Sequence, residues 1–203
     1  MFNTELEAIK KMLGQVHPKH RCIEIGVGTG RFTEGLHIIY GLDPSIEMLK
    51  KTRERKIICI QAVAENLPFK DKSFDIIMMA TVDCFLTNLQ QAFAEIDRTL
   101  KPDGRFILAK IDRDSELGKA YEKKQQDNRF YRYAKFHSVD EISEYIHEAN
   151  FGDLATVQTL FRSLEMIEDV EPVRCGYGEG GFVVLGEKKE KMTVHKYSKI
   201  NIS

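Results

Sequence analysis

The chain has 203 residues, with 30 Lys plus Arg against 31 Asp plus Glu, enough for one α/β unit with a sizeable core and short for two. Its formal net charge of −1 removes any electrostatic case for a nucleic-acid or membrane-surface partner. No apolar run approaches the length of a membrane span, the N-terminus lacks a secretory apolar segment, and the four cysteines Cys22, Cys59, Cys84 and Cys175 have no C-x-x-C spacing. A cytoplasmic location with reduced, mostly core cysteines and no metal is expected.

In chain order, Leu6, Ile9 and Leu13 follow helical spacing, and Thr4 with Glu7 has the form of a capping box, so a short amphipathic helix is expected from Thr4 to Leu13. The apolar run Cys22-Ile23-Glu24-Ile25 then breaks into Gly26-Val27-Gly28-Thr29-Gly30, followed by Arg31-Phe32 and a brief helix to Leu36. A strand feeding a glycine turn that opens a helix lets a ligand lie directly on the main chain, with amide N–H groups aimed at it. A phosphate-cradling P-loop needs a Gly-Lys-Ser/Thr ending, which Arg31-Phe32 does not supply. The dinucleotide fingerprint is weakened because Arg31 stands where its third glycine belongs.

A second strand, Ile38 to Leu42, ends at Asp43-Pro44-Ser45. An acid at the end of a second parallel strand is placed to accept hydrogen bonds from ribose hydroxyls, and Asp before Pro is also a good helix N-cap. Both roles can coexist on one carboxylate. A helix from Pro44 to about Arg55 and a third strand, Ile57 to Ile60, lead to Val63-Ala64-Glu65-Asn66-Leu67-Pro68-Phe69. After a polar turn, Phe74 to Ala80 is nearly continuously apolar, as expected of a strand covered on both faces. Leu89, Ala92, Phe93, Ile96 and Leu100 form a helical stripe capped by Thr87 with Gln90. It stops at a Lys101-Pro102-Asp103-Gly104 turn before a fifth strand, Arg105 to Ala109. Strand and helix alternate throughout, which argues for a doubly wound parallel sheet.

Glu24 with G-x-G-x-G, Asp43, the Ala64–Phe69 segment, Ser73-Phe74-Asp75 and Lys101-Pro102-Asp103-Gly104 together resemble the ordered motifs of class I S-adenosylmethionine-dependent methyltransferases, over roughly Cys22 to Ala109. The likeness is to the small ubiquinone/menaquinone-biosynthesis type. It implies a Rossmann-like α/β fold, a doubly wound seven-stranded, mostly parallel sheet with an antiparallel last strand. It also implies S-adenosyl-L-methionine as cofactor, held by Glu24, Gly26, Val27, Gly28 and Gly30, by Asp43 and Pro44, by Ala64, Glu65 and Asn66, and by Ala80 and Thr81. One departure is Val63, where many relatives carry an acid or small polar residue against the adenine amino group.

The second half carries fewer motifs. An insertion at about residues 112–135, with Tyr121, Phe130, Tyr131 and Tyr133 among charged residues, lies at the carboxyl edge and reads as a substrate lid or as a solvated helix with core aromatics. Phe136 to Glu141 starts a helix ending near Asn150-Phe151-Gly152; Leu154 to Phe161 and Gly181 to Leu185 would be the family's sixth and seventh strands, joined through a Gly176–Gly181 loop where Tyr177 and Glu179 could meet an acceptor. Residues 1–187 are expected to form one methyltransferase domain, with a polar tail over 188–203.

The expected function is methyl transfer to a small-molecule acceptor by in-line displacement, with Asp83 and His137 as weak candidates for a base. The amino-methylating Asn/Asp-Pro-Pro-aromatic motif is absent; Ala80-Thr81-Val82-Asp83 stands there. The alternatives are a NAD-dependent oxidoreductase on the same sheet, or a cofactor-binding protein without turnover. Few residues precede Cys22, so the pocket is covered by the first helix, or it is completed by the insertion or by another subunit in a homodimer.

Overall fold

A computed structural model describes residues 1–127 and 131–188. The expectations placed on Phe130 and on the tail beyond 188 lie outside the described residues. In chain order the elements are α1 (Phe2–Leu13), β1 (Cys22–Ile25), α2 (Arg31–Gly35), β2 (Tyr40–Asp43), α3 (Ile46–Arg53), β3 (Ile58–Gln61), β4 (Phe74–Ala80), α4 (Leu89–Thr99), β5 (Leu100–Ile111), α5 (Glu116–Lys124), α6 (Val139–Glu148), β6 (Ala155–Thr159), β7 (Arg174–Cys175) and β8 (Phe182–Lys188).

The strands form one sheet in the order β3-β2-β1-β4-β5-β8-β6-β7. From β3 to β5 every pairing is parallel, and β8 runs antiparallel between β5 and β6, setting Leu108 opposite Leu185. Strand order reverses between β1 and β4, so the crevice at that switch point opens on the carboxyl ends of the strands, where the glycine turn lies. The sheet has eight strands and not the expected seven, because Arg174-Cys175 pairs briefly with β6 at the outer edge. Two residues carry too little periodicity to be read from sequence.

Alternation sorts β5 and β8 into two cores. Phe106, Leu108, Val183 and Leu185 face α4 and α6, where they meet Phe93, Ile96, Ile142 and Ile146. Ile107, Ala109, Phe182 and Val184 face α1, where they meet Ala8, Ile9 and Leu13. Both faces are buried, which is why these strands read as unbroken apolar runs.

Several helix starts depart from expectation. Thr4 does not cap α1; it lies inside the helix, buried, and its hydroxyl accepts from the Glu171 N–H at 3.3 Å, while Glu7 pairs with Lys10. Asn88, not Thr87, caps α4 by accepting from the Gln91 N–H at 3.0 Å. Ser45 rather than Asp43 caps α3, accepting from the Met48 N–H at 3.4 Å. Lys101-Pro102-Asp103-Gly104 is not a turn but the opening of β5, where pairing with β4 shifts register between Phe74 and Ile76.

Phe93 is fully buried and meets Phe106 edge-on, with ring centroids 5.9 Å apart. Phe93→Ala should lower the unfolding free energy by about 3–5 kcal/mol through lost burial and a residual cavity, measured by urea denaturation.

Candidate functional site

The glycine turn crosses onto the end of β2. The N–H groups of Gly26 and Val27 both donate to the Leu42 carbonyl, at 2.7 and 2.9 Å, and Gly30 closes the turn on the Val27 carbonyl at 2.8 Å. Asp43, the next residue after Leu42, is therefore carried up beside the turn. One of its carboxylate oxygens accepts from the Gly28 N–H at 2.9 Å, and the other from the Ser45 N–H at 2.8 Å, just past Pro44. The structure thus sets Gly26, Val27, Gly28, Gly30, Asp43 and Pro44 on one rim.

Two glycines have separate physical reasons. Gly26 has φ 75°, and a Cβ there would stand 2.3 Å from Val82, so only glycine lets the loop after β4 approach the turn. Gly28 has φ 53°, and a Cβ there would meet nothing within 4 Å, so its backbone faces open space. Ala80 ends β4 opposite Gly26. Thr81 follows with φ 55°, a conformation that costs an L-residue on the order of 1 kcal/mol and is held by its N–H bond to the Ala109 carbonyl at 2.8 Å.

Anchors behind the turn come from residues that sequence reasoning passed over. The Thr52 hydroxyl donates to the Gly28 carbonyl at 2.7 Å and the Arg55 guanidinium to the Thr29 carbonyl at 2.9 Å, both from the end of α3. Glu24 lies under the turn, fully buried, accepting from the Thr33 hydroxyl of α2; burial pushes its carboxyl up to about 8. It ties β1 to α2.

Of the third segment, Ala64 is buried, while Asn66 bridges back to Val63, which is 44% exposed. Glu65 turns away to the start of α4, accepting from the N–H and hydroxyl of Thr87, both at 2.9 Å. Burial alone would raise its carboxyl, but these donors outweigh burial and hold it below the usual range. Arg98 braces the following loop through the carbonyls of Leu67 and Phe69 and the carboxylates of Glu95 and Asp71.

Asp83 and His137 come close to each other, yet both are enclosed. The Lys110 ammonium, fully buried at the end of β5, donates to the carbonyls of Ile111 and His137 and stands 3.9 Å from the Asp83 carboxylate. Desolvation pushes Asp83 up and Lys110 down, each opposed by the other's charge. His137 Nδ1 meets the Glu141 carboxylate at 2.9 Å, and Arg113 holds the other Glu141 oxygen at 2.9 Å. Tyr177 donates to Asp140 at 2.6 Å and Glu179 pairs with Arg174, so that loop is drawn to the start of α6.

A cleft of about 450 Å³ opens at the opposite, amino edge, among Lys10, Leu13, His17, His20, Cys22 and His37. It is far from the glycine turn, and among the described residues no group of His, Cys, Asp or Glu is arranged to hold a metal ion. The converging backbone amides at the carboxyl edge mark the site better than cleft size does. No helix among the described residues is long and apolar enough to cross a membrane.

Comparison with known proteins agrees with this geometry. The methyltransferase domain family matches residues 23–108. An uncharacterized protein of Methanocaldococcus jannaschii is 43% identical, over 93% of this chain and 90% of its own. A ubiquinone/menaquinone biosynthesis C-methyltransferase of Ectopseudomonas mendocina is 31% identical, over 54% of this chain and 50% of its own. A crystal structure from Thermotoga maritima, described as a "SAM-dependent methyltransferase, possible histamine N-methyltransferase", superposes with a TM-score of 0.87 at 41% identity, covering 93% of this chain and 89% of that one.

Two stability predictions follow from the enclosed groups. Lys110→Met should cost about 3–5 kcal/mol because it leaves Asp83 buried without its cation, and Asp83→Asn in the same chain should recover part of that loss, as read by urea denaturation of the three variants. Glu24 ionises near 4.5 when unfolded and near 8 when folded, so its ionisation should erode stability as pH rises through that window and no further above it. Glu24→Gln should flatten that slope in chemical denaturation across the range.

The switch-point crevice, the glycine turn with Asp43 on its rim, and the relatives that share both sequence and fold show that this chain belongs to the class I S-adenosylmethionine-dependent methyltransferases.

Proposed function

We propose that this chain transfers the methyl group of S-adenosyl-L-methionine to a small-molecule acceptor by in-line displacement. The observation that supports this best is the Asp43 carboxylate beside the Gly26–Gly28 turn, with open space in front of Gly28. In this reading Asp43 accepts from the ribose hydroxyls, the backbone of Gly26 to Gly28 cradles the amino-acid end, and Ala64 with Asn66 borders the adenine. Glu24 serves from behind by fixing the turn, and Glu65 by fixing the loop on α4.

The bound sulfonium supplies an activated methyl group with a good leaving group. What remains for the protein is alignment of the acceptor and exclusion of water. Ala80 and Thr81 form the wall between cofactor and acceptor, and residues 112–135 form the lid. Asp83 and His137 root that lid through Lys110 and Glu141, and neither is assigned as a base, since both are closed off by partners of their own. Membership in the methyltransferase family displaces the nicotinamide-dependent alternative.

Thermal-shift titration should show stabilisation by S-adenosylhomocysteine and little by NAD; the opposite ranking overturns the reading. In calorimetric titration with S-adenosylhomocysteine, Gly28→Val should abolish binding by filling the open space, and Asp43→Ala should weaken it by about 1–3 kcal/mol through lost charged hydrogen bonds. Unchanged affinity in both would place the cofactor elsewhere.

A further inference from the structure

The cleft at the amino edge takes no part in the function proposed above. Its volume, about 450 Å³, falls in the range of small-molecule sites. Cys22 lines it at the start of β1, whereas the glycine turn follows the other end of that strand, so cleft and turn lie at opposite ends of β1. Much of its surface is apolar. Leu13, Cys22 and Ile38 are buried there, and Ile39, 56% exposed, forms a part of the wall that solvent reaches.

The ionisable lining is of one kind. Lys10, His17, His20 and His37 border the cleft, and no Asp or Glu does. The rings of His17 and His20 lie 5.6 Å apart between centroids. His17 Nδ1 accepts from the Lys19 N–H at 3.2 Å, which leaves Nε2 as the nitrogen that carries the ring hydrogen and donates. Arg105 lies next to Gly14, another lining residue: a Cβ on Gly14 would stand 3.9 Å from its guanidinium. Cys22 adds no negative charge, since burial pushes its thiol up to about 11. Among the described residues no histidines are arranged to hold a metal ion.

The basic side chains are not spent on the two helix ends that meet here. The carbonyls of Lys10, Phe32, Thr33 and Glu34 already accept from the N–H groups of Gly14, Leu36, Ile38 and His37. Acids on the flanking segments are taken as well. Glu7 pairs with Lys10, whose ammonium keeps further donors, Glu34 pairs with Arg55, and Asp75 accepts from the Lys101 ammonium and the Arg21 N–H, both at 2.8 Å. An apolar floor bordered by donors, with no acid in its lining, complements a ligand that joins an apolar body to one negative charge. We propose that the amino-edge cleft is a second binding site, for a small organic carboxylate, separate from the cofactor crevice. It does not rest on the methyl-transfer reading.

The test is calorimetric titration of the full chain with hexanoate, 3-phenylpropanoate and the uncharged 3-phenylpropanamide, each with and without saturating S-adenosylhomocysteine. Both carboxylates should bind roughly tenfold or more tightly than the amide, whether or not S-adenosylhomocysteine is present. Ile39 lies at the surface, so the fold tolerates a charge there. Ile39→Glu should weaken carboxylate binding several-fold and Ile39→Lys should strengthen it, with S-adenosylhomocysteine affinity unchanged in both. His17→Gln combined with His37→Asn, a residue that suits the φ of 55° at position 37, should bring carboxylate affinity down toward that of the amide. Equal binding of carboxylates and amide, carboxylate binding indifferent to the charge at position 39, or displacement of the carboxylates by S-adenosylhomocysteine overturns the proposal. Failure of S-adenosylhomocysteine to bind overturns the cofactor reading instead and leaves the carboxylate measurements to decide this one.

Discussion

Two backbone amides from different loops converge on one carboxylate, and the carboxyl edge of the sheet is arranged about that convergence. Asp43 takes the Gly28 N–H on one oxygen and the Ser45 N–H on the other, so the glycine turn and the start of α3 cannot move independently. Thr52 and Arg55 reach back from the end of the same helix to the carbonyls of Gly28 and Thr29. The turn is thus gripped through its amide side by β2 and through its carbonyl side by α3. Such a frame keeps the backbone groups of a binding turn oriented before a ligand arrives, which spares the ordering cost at binding.

The buried ionisable groups at this edge hold the architecture. Glu24, Asp83 and Lys110 are closed off, each engaged with a neighbour, and they fix the relative placement of β1 with α2 and of the β4 loop with α6. Their burial makes them expensive to break and therefore good at specifying a single arrangement.

Much of the fold was legible because periodicity reports burial. The run from Phe74 to Ala80 was read at its true bounds, since a strand covered on both faces leaves no polar alternation to mislead. Helix starts were less legible, because Thr4, Thr87 and Asp43 are all chemically able to cap and only their neighbours decide whether they do. Thr4 is drawn to the Glu171 N–H, far away in the chain, and Thr87 is claimed by Glu65. At the site, the carboxyl of Glu65 is competent for a ligand contact on paper, but the free N–H groups at the start of α4 reached it first.

What the sequence by itself determined is the order of elements, the glycine turn and the acid that follows it, because these depend on local chemistry: backbone freedom at Gly26 and Gly28 and the fixed spacing to the end of the next strand. Only the tertiary structure decided which polar groups are used up and which are left over. Lys110 reads as the end of a strand until His137, just before α6, is laid over it, and Glu65 reads as a ligand contact until the start of α4 is brought against it. Such pairings join residues more than twenty positions apart, and local pattern carries no record of who will be the neighbour.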